Sequence, residues 1–334
     1  MASLLSIRDL TVGFATDQGT VQVLDRVNLT IDSGEVVGLV GESGCGKTTL
    51  ACSILGILPA GSARIGGGSI NFQGTDLLRM DPARLNDEVR GRRITFIPQD
   101  PYGSFNPVFT VGTQVMDLMK WKAGRRPALL ARYPSDRRHV DRERVLACLR
   151  EVQIPQPAQA LRRYPYQFSG GQRQRLMIAM AMLPSPDLVI ADEPTTALDV
   201  TIQAQILKLL RRLVKERRVS VLFTTHDLGT ANEICDRIVV MYAGQEVESA
   251  PIGEFFRRPA HPYTEKLLES LPNPKGEIRD IPGEIPQLVA PPAGCRFHPR
   301  CVRATAECRR APPPVTTLGA GHWVRCYHPV EHSV

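Results

Sequence analysis

An α/β fold built on a sheet core is the fold class that three observations in this sequence predict. First, three short apolar runs, Glu35 to Val40, Asp187 to Ala191 and Val219 to Thr225, have the length and β-branched content of strands buried on both faces. Second, each run delivers polar residues at its C-terminal end, where open α/β sheets collect their ligands. Third, after Asp199 the residues Ile202, Ile206, Leu209, Leu210, Leu213 and Val214 recur at three- or four-residue spacing, while Lys208, Arg211, Arg212 and Lys215 fill the other face. That is a core-facing amphipathic helix.

The first run leads into Gly41-Glu42-Ser43-Gly44-Cys45-Gly46-Lys47-Thr48 and then Thr49 to Leu55, which reads as a helix. Strand, glycine-rich loop and helix are the context a P-loop needs. The glycines let successive backbone N–H groups turn toward phosphates, and the helix N-terminus adds partial positive charge. Lys47 is placed to reach the β and γ phosphates of ATP, and the Thr48 hydroxyl to ligate Mg²⁺. A purely structural glycine turn explains the loop but not the lysine and hydroxyl that follow it.

The second run ends in Asp192 and Glu193. Asp192 is placed to hold Mg²⁺ through water, and Glu193 is the candidate base that polarises the attacking water. An Asp-Glu pair after an apolar run is ordinarily a solvated strand end; its position downstream of an intact P-loop favours the catalytic reading. The third run ends at His226. A lone histidine there is more often structural, and only the ordered set of motifs argues otherwise.

With Phe168-Ser169-Gly170-Gly171-Gln172 added to this set, the chain resembles the nucleotide-binding subunits of ABC transporters over nearly its whole length. The segment is similar to that family's signature loop, with Phe in place of the more usual Leu at its first position, a change that keeps an apolar anchor. The resemblance implies a P-loop NTPase fold in which two ATPase subunits pack head to tail, the P-loop of each facing the signature loop of the other. It implies that Gln99, in Ile97-Pro98-Gln99-Asp100-Pro101, senses Mg²⁺ and water while linking to the membrane partner. In the same way Asp199, in Ala197-Leu198-Asp199, communicates across the dimer and His226 contacts the γ phosphate. Phe14 is a candidate for stacking on adenine; core packing on an N-terminal strand is the alternative.

The tail narrows the resemblance. Arg258 to Thr264, Pro291 to Cys301 and Gly321 to Cys326 resemble the C-terminal extension of the oligopeptide and dipeptide importer ATPases, a subfamily that also shows Phe105-Asn106-Pro107 after its Gln loop. This implies an importer with two membrane permeases, an extracytoplasmic substrate-binding protein and a second ATPase, homologous or identical. Members of the group import di- or oligopeptides, nickel, oligosaccharides or opines. The implied organisation is a nucleotide-binding domain over 1–250, with a helical subdomain at about 99–186, and an extension over 251–334.

Cys295, Cys301, Cys308 and Cys326 lie in the last forty residues, with five, six and seventeen residues between them. These intervals are too long for common zinc ribbons, and a reducing cytoplasm disfavours two disulfides. Four thiolates suffice for an iron–sulfur cluster, and related importer ATPases carry a [4Fe–4S] cluster on such a tail; zinc and free thiols are the alternatives. Cys45, in the P-loop, is expected to be exposed and alkylation-sensitive.

Composition agrees. The chain has 334 residues, 43% hydrophobic and 22% charged, which suits a globular protein with a sizeable core. No run approaches the roughly eighteen apolar residues of a membrane span, and the N-terminus lacks a signal pattern. The expected location is the cytoplasmic face of the cell membrane, with membrane contact borrowed from the permeases. A net charge of +7 raises the question of nucleic acid, yet between Lys120 and Arg144 nine basic residues face three acidic ones, a local excess of +6. That stretch is expected to be a solvated insertion without periodicity, or a contact for anionic lipid headgroups. A soluble ABC ATPase acting on nucleic acid or ribosomes is the reading of another class; it usually brings tandem ATPase domains or a long coiled coil, and neither is visible.

Overall fold

In the computed structural model, residues 3–17, 19–122, 133–196, 198–271 and 281–332 are described. The chain begins β1 (Leu5–Thr16), β2 (Gly19–Ile31), β3 (Val36–Val40), α1 (Lys47–Leu55), β4 (Ala63–Phe72), β5 (Thr75–Asp76), α2 (Pro82–Arg84) and β6 (Ile94–Ile97). It continues with α3 (Val111–Lys122), α4 (Ser135–Glu151), α5 (Pro157–Ala160), α6 (Gly170–Met182), β7 (Leu188–Asp192), α7 (Val200–Arg217) and β8 (Ser220–Thr225). It closes with α8 (Leu228–Ile234), β9 (Arg237–Tyr242), β10 (Gln245–Pro251), α9 (Ile252–Arg257), α10 (Pro262–Glu269), α11 (Ala306–Arg310), β11 (Val315–Gly319) and β12 (His322–Arg325). Contacts divide the chain into two units, residues 1–79 with 223–334, and residues 80–222. The division falls within β8.

In the first unit β3 is buried at every position, as its unbroken apolar run requires. It pairs in parallel with β9, which pairs antiparallel with β10, so the sheet is mixed. The extension joins this sheet directly: β12 pairs with β10 through Glu248 and Ser249, and β11 pairs with β12. Glu248 is fully buried, and its carboxylate accepts the N–H groups of Ala260 and His261 at 2.8 Å each and meets Nε2 of His322 at 3.0 Å. A second, antiparallel sheet has the order β2, β1, β4, β5.

In the second unit β6 and β7 pair in parallel, with β7 buried throughout. Helix α7 buries Ile206, Leu209, Leu210, Leu213 and Val214 on the face its periodicity predicts. Asp199 begins it, its Oδ1 accepting the Ile202 N–H at 2.9 Å. Among the described residues, no helix is long and apolar enough to cross a membrane.

The expectation of an aperiodic insertion over 120–144 is corrected. Lys120 to Lys122 end α3, and Ser135 opens a seventeen-residue α4; residues 123–132 lie outside the described residues. The helix is disguised because its inward face begins with a charge. Asp141 is 4% exposed and accepts from Tyr133 Oη at 2.6 Å and Arg137 Nε at 3.2 Å, while Val145 and Leu149 continue the buried face one and two turns later.

One ion pair ties together the strands around the phosphate loop. Arg237, at the start of β9, donates from Nε and Nη2 to the two carboxylate oxygens of Glu35, at 2.7 and 3.1 Å. It also reaches the Thr30 carbonyl at 2.7 Å and the Ser249 hydroxyl at 3.2 Å. Both side chains are 17% exposed, so a lone survivor would be poorly solvated. Arg237→Ala is expected to lower stability by about 1–3 kcal/mol, read as a shift of the urea midpoint.

Candidate functional site

The phosphate loop grows out of β3 because its backbone can approach where no side chain fits. A Cβ on Gly41 would lie 2.2 Å from the carbonyl oxygen of Met241, and Gly46 holds φ of +108° as the residue before α1. Ser43 and Gly44 are exposed, as is Thr48 in the first turn of α1, while Thr49 is half-buried. Lys47 is buried, and its ammonium donates to the carbonyls of Gly41 at 2.7 Å and Glu42 at 3.3 Å. The loop therefore presents exposed backbone and a hydroxyl above a cation, an arrangement suited to phosphate and a metal ion.

Cys45 is the correction here. It is 1% exposed, and burial, the largest influence on its thiol, pushes its pKa up despite the nearby ammonium of Lys47. The expected alkylation-sensitive thiol is packed beneath the loop. Its backbone carbonyl accepts the Gly244 N–H at 3.0 Å.

Also in this unit, Phe14 is half-buried on β1, opposite Val21 of β2 and Ala63 of β4. His226 is exposed just beyond β8. The turn beneath it is fixed by Asp227, whose N–H donates to Thr225 Oγ1 at 3.0 Å and whose Oδ1 accepts from Gly229 and Thr230 at 2.8 and 3.3 Å.

The second unit brings together Gln99, Asp192 and Glu193. Asp192 closes β7 and is 3% exposed. Glu193 follows with φ of +44°, a left-handed conformation that costs on the order of 1 kcal/mol or more for a residue with a Cβ. Gln99 Nε2 donates to Glu193 Oε2 at 3.2 Å, and the Thr196 hydroxyl donates to the same oxygen at 3.1 Å. Thr196 went unnoticed in the sequence, where its only signal is its position three residues after the glutamate. Ala197 lies outside the described residues.

The Ser169 to Gln172 segment is a capping box that opens α6: Ser169 Oγ accepts the Gln172 N–H at 3.3 Å, and Gln172 Oε1 accepts the Ser169 N–H at 3.2 Å. Phe168 anchors it, 3% exposed and with the Arg163 guanidinium 4.2 Å from its ring centre. A Cβ on Gly171 would lie 2.6 Å from Ile202 Cγ2, so α6 and α7 meet at a glycine.

In the extension, Cys295, Cys301, Cys308 and Cys326 line one cavity together with His261. Burial pushes the thiols of Cys295 and Cys326 up to about 11 and about 12, and mutual repulsion with the neighbouring thiols adds to the shift. The Nδ1 of His261 accepts the Tyr263 N–H at 3.0 Å, which leaves the proton on Nε2; that atom is buried with no hydrogen-bond partner. Among the described residues, no group of three or more His, Cys, Asp or Glu side chains stands ready in metal-holding geometry.

These loops, in this order on a mixed α/β sheet, define a P-loop ATPase of the ABC class. Residues 24–196 match the ABC transporter family, and residues 247–308 match the oligopeptide/dipeptide transporter C-terminal region. The chain belongs to the ABC transporter ATP-binding family, in the branch that carries this C-terminal region. It is 42% identical to the dipeptide transport ATP-binding protein DppD of Bacillus subtilis, over 100% of this chain and 98% of that one. It is 41% identical to the oligopeptide transport ATP-binding protein OppD of Salmonella typhimurium, over 98% and 94%. Among solved structures, the dimeric bacterial ABC transporter cassette MJ0796 is similar at 27% identity and a TM-score of 0.63, covering 74% of this chain and 98% of that chain. The same cassette as a post-hydrolysis dimer bound to ADP and Pi matches with a TM-score of 0.62.

Because burial holds Cys45 in its thiol form, native protein at pH 8 is expected to leave it unmodified by iodoacetamide and to label it only after denaturation, as read by peptide mass spectrometry.

Proposed function

We propose that this chain is the ATP-hydrolysing subunit of a peptide importer, working beside a second ATPase subunit under two membrane permeases fed by an extracytoplasmic substrate-binding protein. The observation that carries this is the joining, in one chain, of an ABC ATPase match to the oligopeptide/dipeptide C-terminal region, with relatives named for dipeptide and oligopeptide transport across nearly its full length. Its place is peripheral, on the cytoplasmic face of the membrane, held there by the permeases. The alternative is import of nickel, an oligosaccharide or an opine by the same machine, with specificity set by the binding protein and permeases.

Lys47, Thr48 and the backbone of Gly41, Ser43, Gly44 and Gly46 hold the ATP phosphates; Thr48 and Asp192 would hold Mg²⁺, and Gln99 would report on the metal and water. Thr49 completes the first turn beneath the phosphates, and Phe14 flanks the base. Glu193 is the general base. The hydrogen bonds from Gln99 and Thr196 orient its carboxylate, and its left-handed backbone fixes the side-chain direction, which supports that role. His226 meets the γ phosphate. Ser169, Gly170, Gly171 and Gln172 close over the nucleotide of the partner ATPase, and Asp199 reports across that dimer. Closure moves the permeases; hydrolysis resets them.

We further propose that Cys295, Cys301, Cys308 and Cys326 hold a [4Fe–4S] cluster. The convergence of four thiols, two buried and two half-buried, on one cavity supports it, as does the unpartnered Nε2–H of His261 in the same cavity wall, since cluster sulfur accepts such a hydrogen bond. When bound, the cluster supplies a one-electron couple and a covalent staple for the tail.

Glu193→Gln is expected to slow ATP turnover of the assembled transporter by about 10²–10⁴-fold with the partner site disabled; wild-type turnover removes Glu193 from the mechanism. Anaerobic purification is expected to give a brown protein with about four iron and four sulfide per chain, and a colourless, iron-free protein ends the cluster assignment.

A further inference from the structure

Glu42 places a carboxylate inside a loop built to receive a polyanion. Left to itself it would repel phosphate and offer Lys47 a competing partner. Instead every polar group of Glu42 is occupied. Its N–H donates to Tyr263 Oη at 3.0 Å, and its carbonyl accepts from Lys47 Nζ and the Cys45 N–H, each at 3.3 Å. Its two carboxylate oxygens accept from Arg300 Nη1 at 2.9 Å and Nη2 at 3.2 Å.

Arg300 is fixed just as completely. Its side chain is 4% exposed, and beyond Glu42 it donates to the carbonyls of Pro282 at 2.9 Å and Ile281 at 3.0 Å and to Tyr242 Oη at 3.3 Å. All five guanidinium N–H donors are thereby used. The segment that carries it is pinned on both sides. Arg296 pairs with Asp25 at 2.8 Å and donates to the Ala243 carbonyl, and Phe297 packs edge-on against Tyr242 with ring centres 5.1 Å apart. Phe297 also lies against Tyr263, at 5.4 Å, whose hydroxyl holds the Glu42 amide. The run Cys295 to Cys301 thus turns its cysteines to the thiol cavity and its arginines to the phosphate loop and the strands beside it.

We propose that Arg300 is a positioning residue for ATP, and that the extension acts through it as a brace and charge neutraliser for the phosphate loop. Its bidentate grip holds the Glu42 carboxylate away from Lys47 and cancels its repulsion of the incoming phosphates. The Tyr263 hydroxyl sets the plane of the Gly41–Glu42 peptide. This rests on ATP binding alone and holds whatever the thiols carry.

The experiment is ATP titration of the purified full-length chain, with the nucleotide-free thermal midpoint as the folding control. Arg300→Gln is expected to weaken ATP binding about tenfold, the scale of coupling between contacting charged groups. Glu42→Gln alone is expected to stay within about twofold of wild type, and the Glu42→Gln/Arg300→Gln double variant to recover to within about threefold. That recovery separates charge compensation from structural damage, which a second substitution would not repair. Unchanged affinity in Arg300→Gln, or a double variant as weak as Arg300→Gln, overturns the proposal. If Arg300→Gln does not fold, Arg300→Lys tests the same point: it keeps the charge, loses the two-pronged grip, and is expected to bind about threefold more weakly, while wild-type affinity in it overturns the proposal.

Discussion

Burial of strands on both faces is the constraint from which the rest of this molecule follows. β3 and β7 have no exposed face, so their side chains have no room for chemistry, and polar groups find water and ligands only beyond the strand ends. In the first unit that end is the phosphate loop; in the second it is Asp192 and Glu193. The glycines and the left-handed glutamate follow from this, since a chain leaving a buried strand must turn sharply to face solvent. Gly41, against the Met241 carbonyl, marks how little space that turn leaves.

Much of this was legible in the sequence, because the features that revealed it are local. Three apolar runs gave three strands, and the three- and four-residue spacing after Asp199 gave α7 with its inward face correctly assigned. The glycine loop before α1 was equally plain. What stayed hidden depends on partners distant in the chain. Helix α4 reads as a charged loop because Asp141, buried against Tyr133 and Arg137, occupies a position where an apolar residue would have shown the period. Cys45 reads as an exposed loop thiol because nothing nearby in sequence tells that its side chain points inward. Arg296 and Arg300 read as part of a cysteine motif, since their acidic partners Asp25 and Glu42 stand more than two hundred and fifty residues earlier.

The Ser169 to Gln172 segment shows how a loop can be ordered by its own side chains. Its serine and glutamine satisfy each other's backbone amides, so the N-terminus of α6 is already ordered. A preformed helix end meets an anion without first losing conformational freedom. Gly171 has the complementary task, letting α7 approach so closely that any side chain there would displace Ile202.

The partners of Glu42 stand 221 and 258 positions further along the chain, and this sets an order of events during synthesis. At about 5–20 residues per second, the ribosome needs roughly ten to fifty seconds after making the phosphate loop before it makes Arg300. Through that interval the nascent loop carries its acidic residue without a counter-ion. The polypeptide thus gains its finished nucleotide loop only when translation is nearly complete.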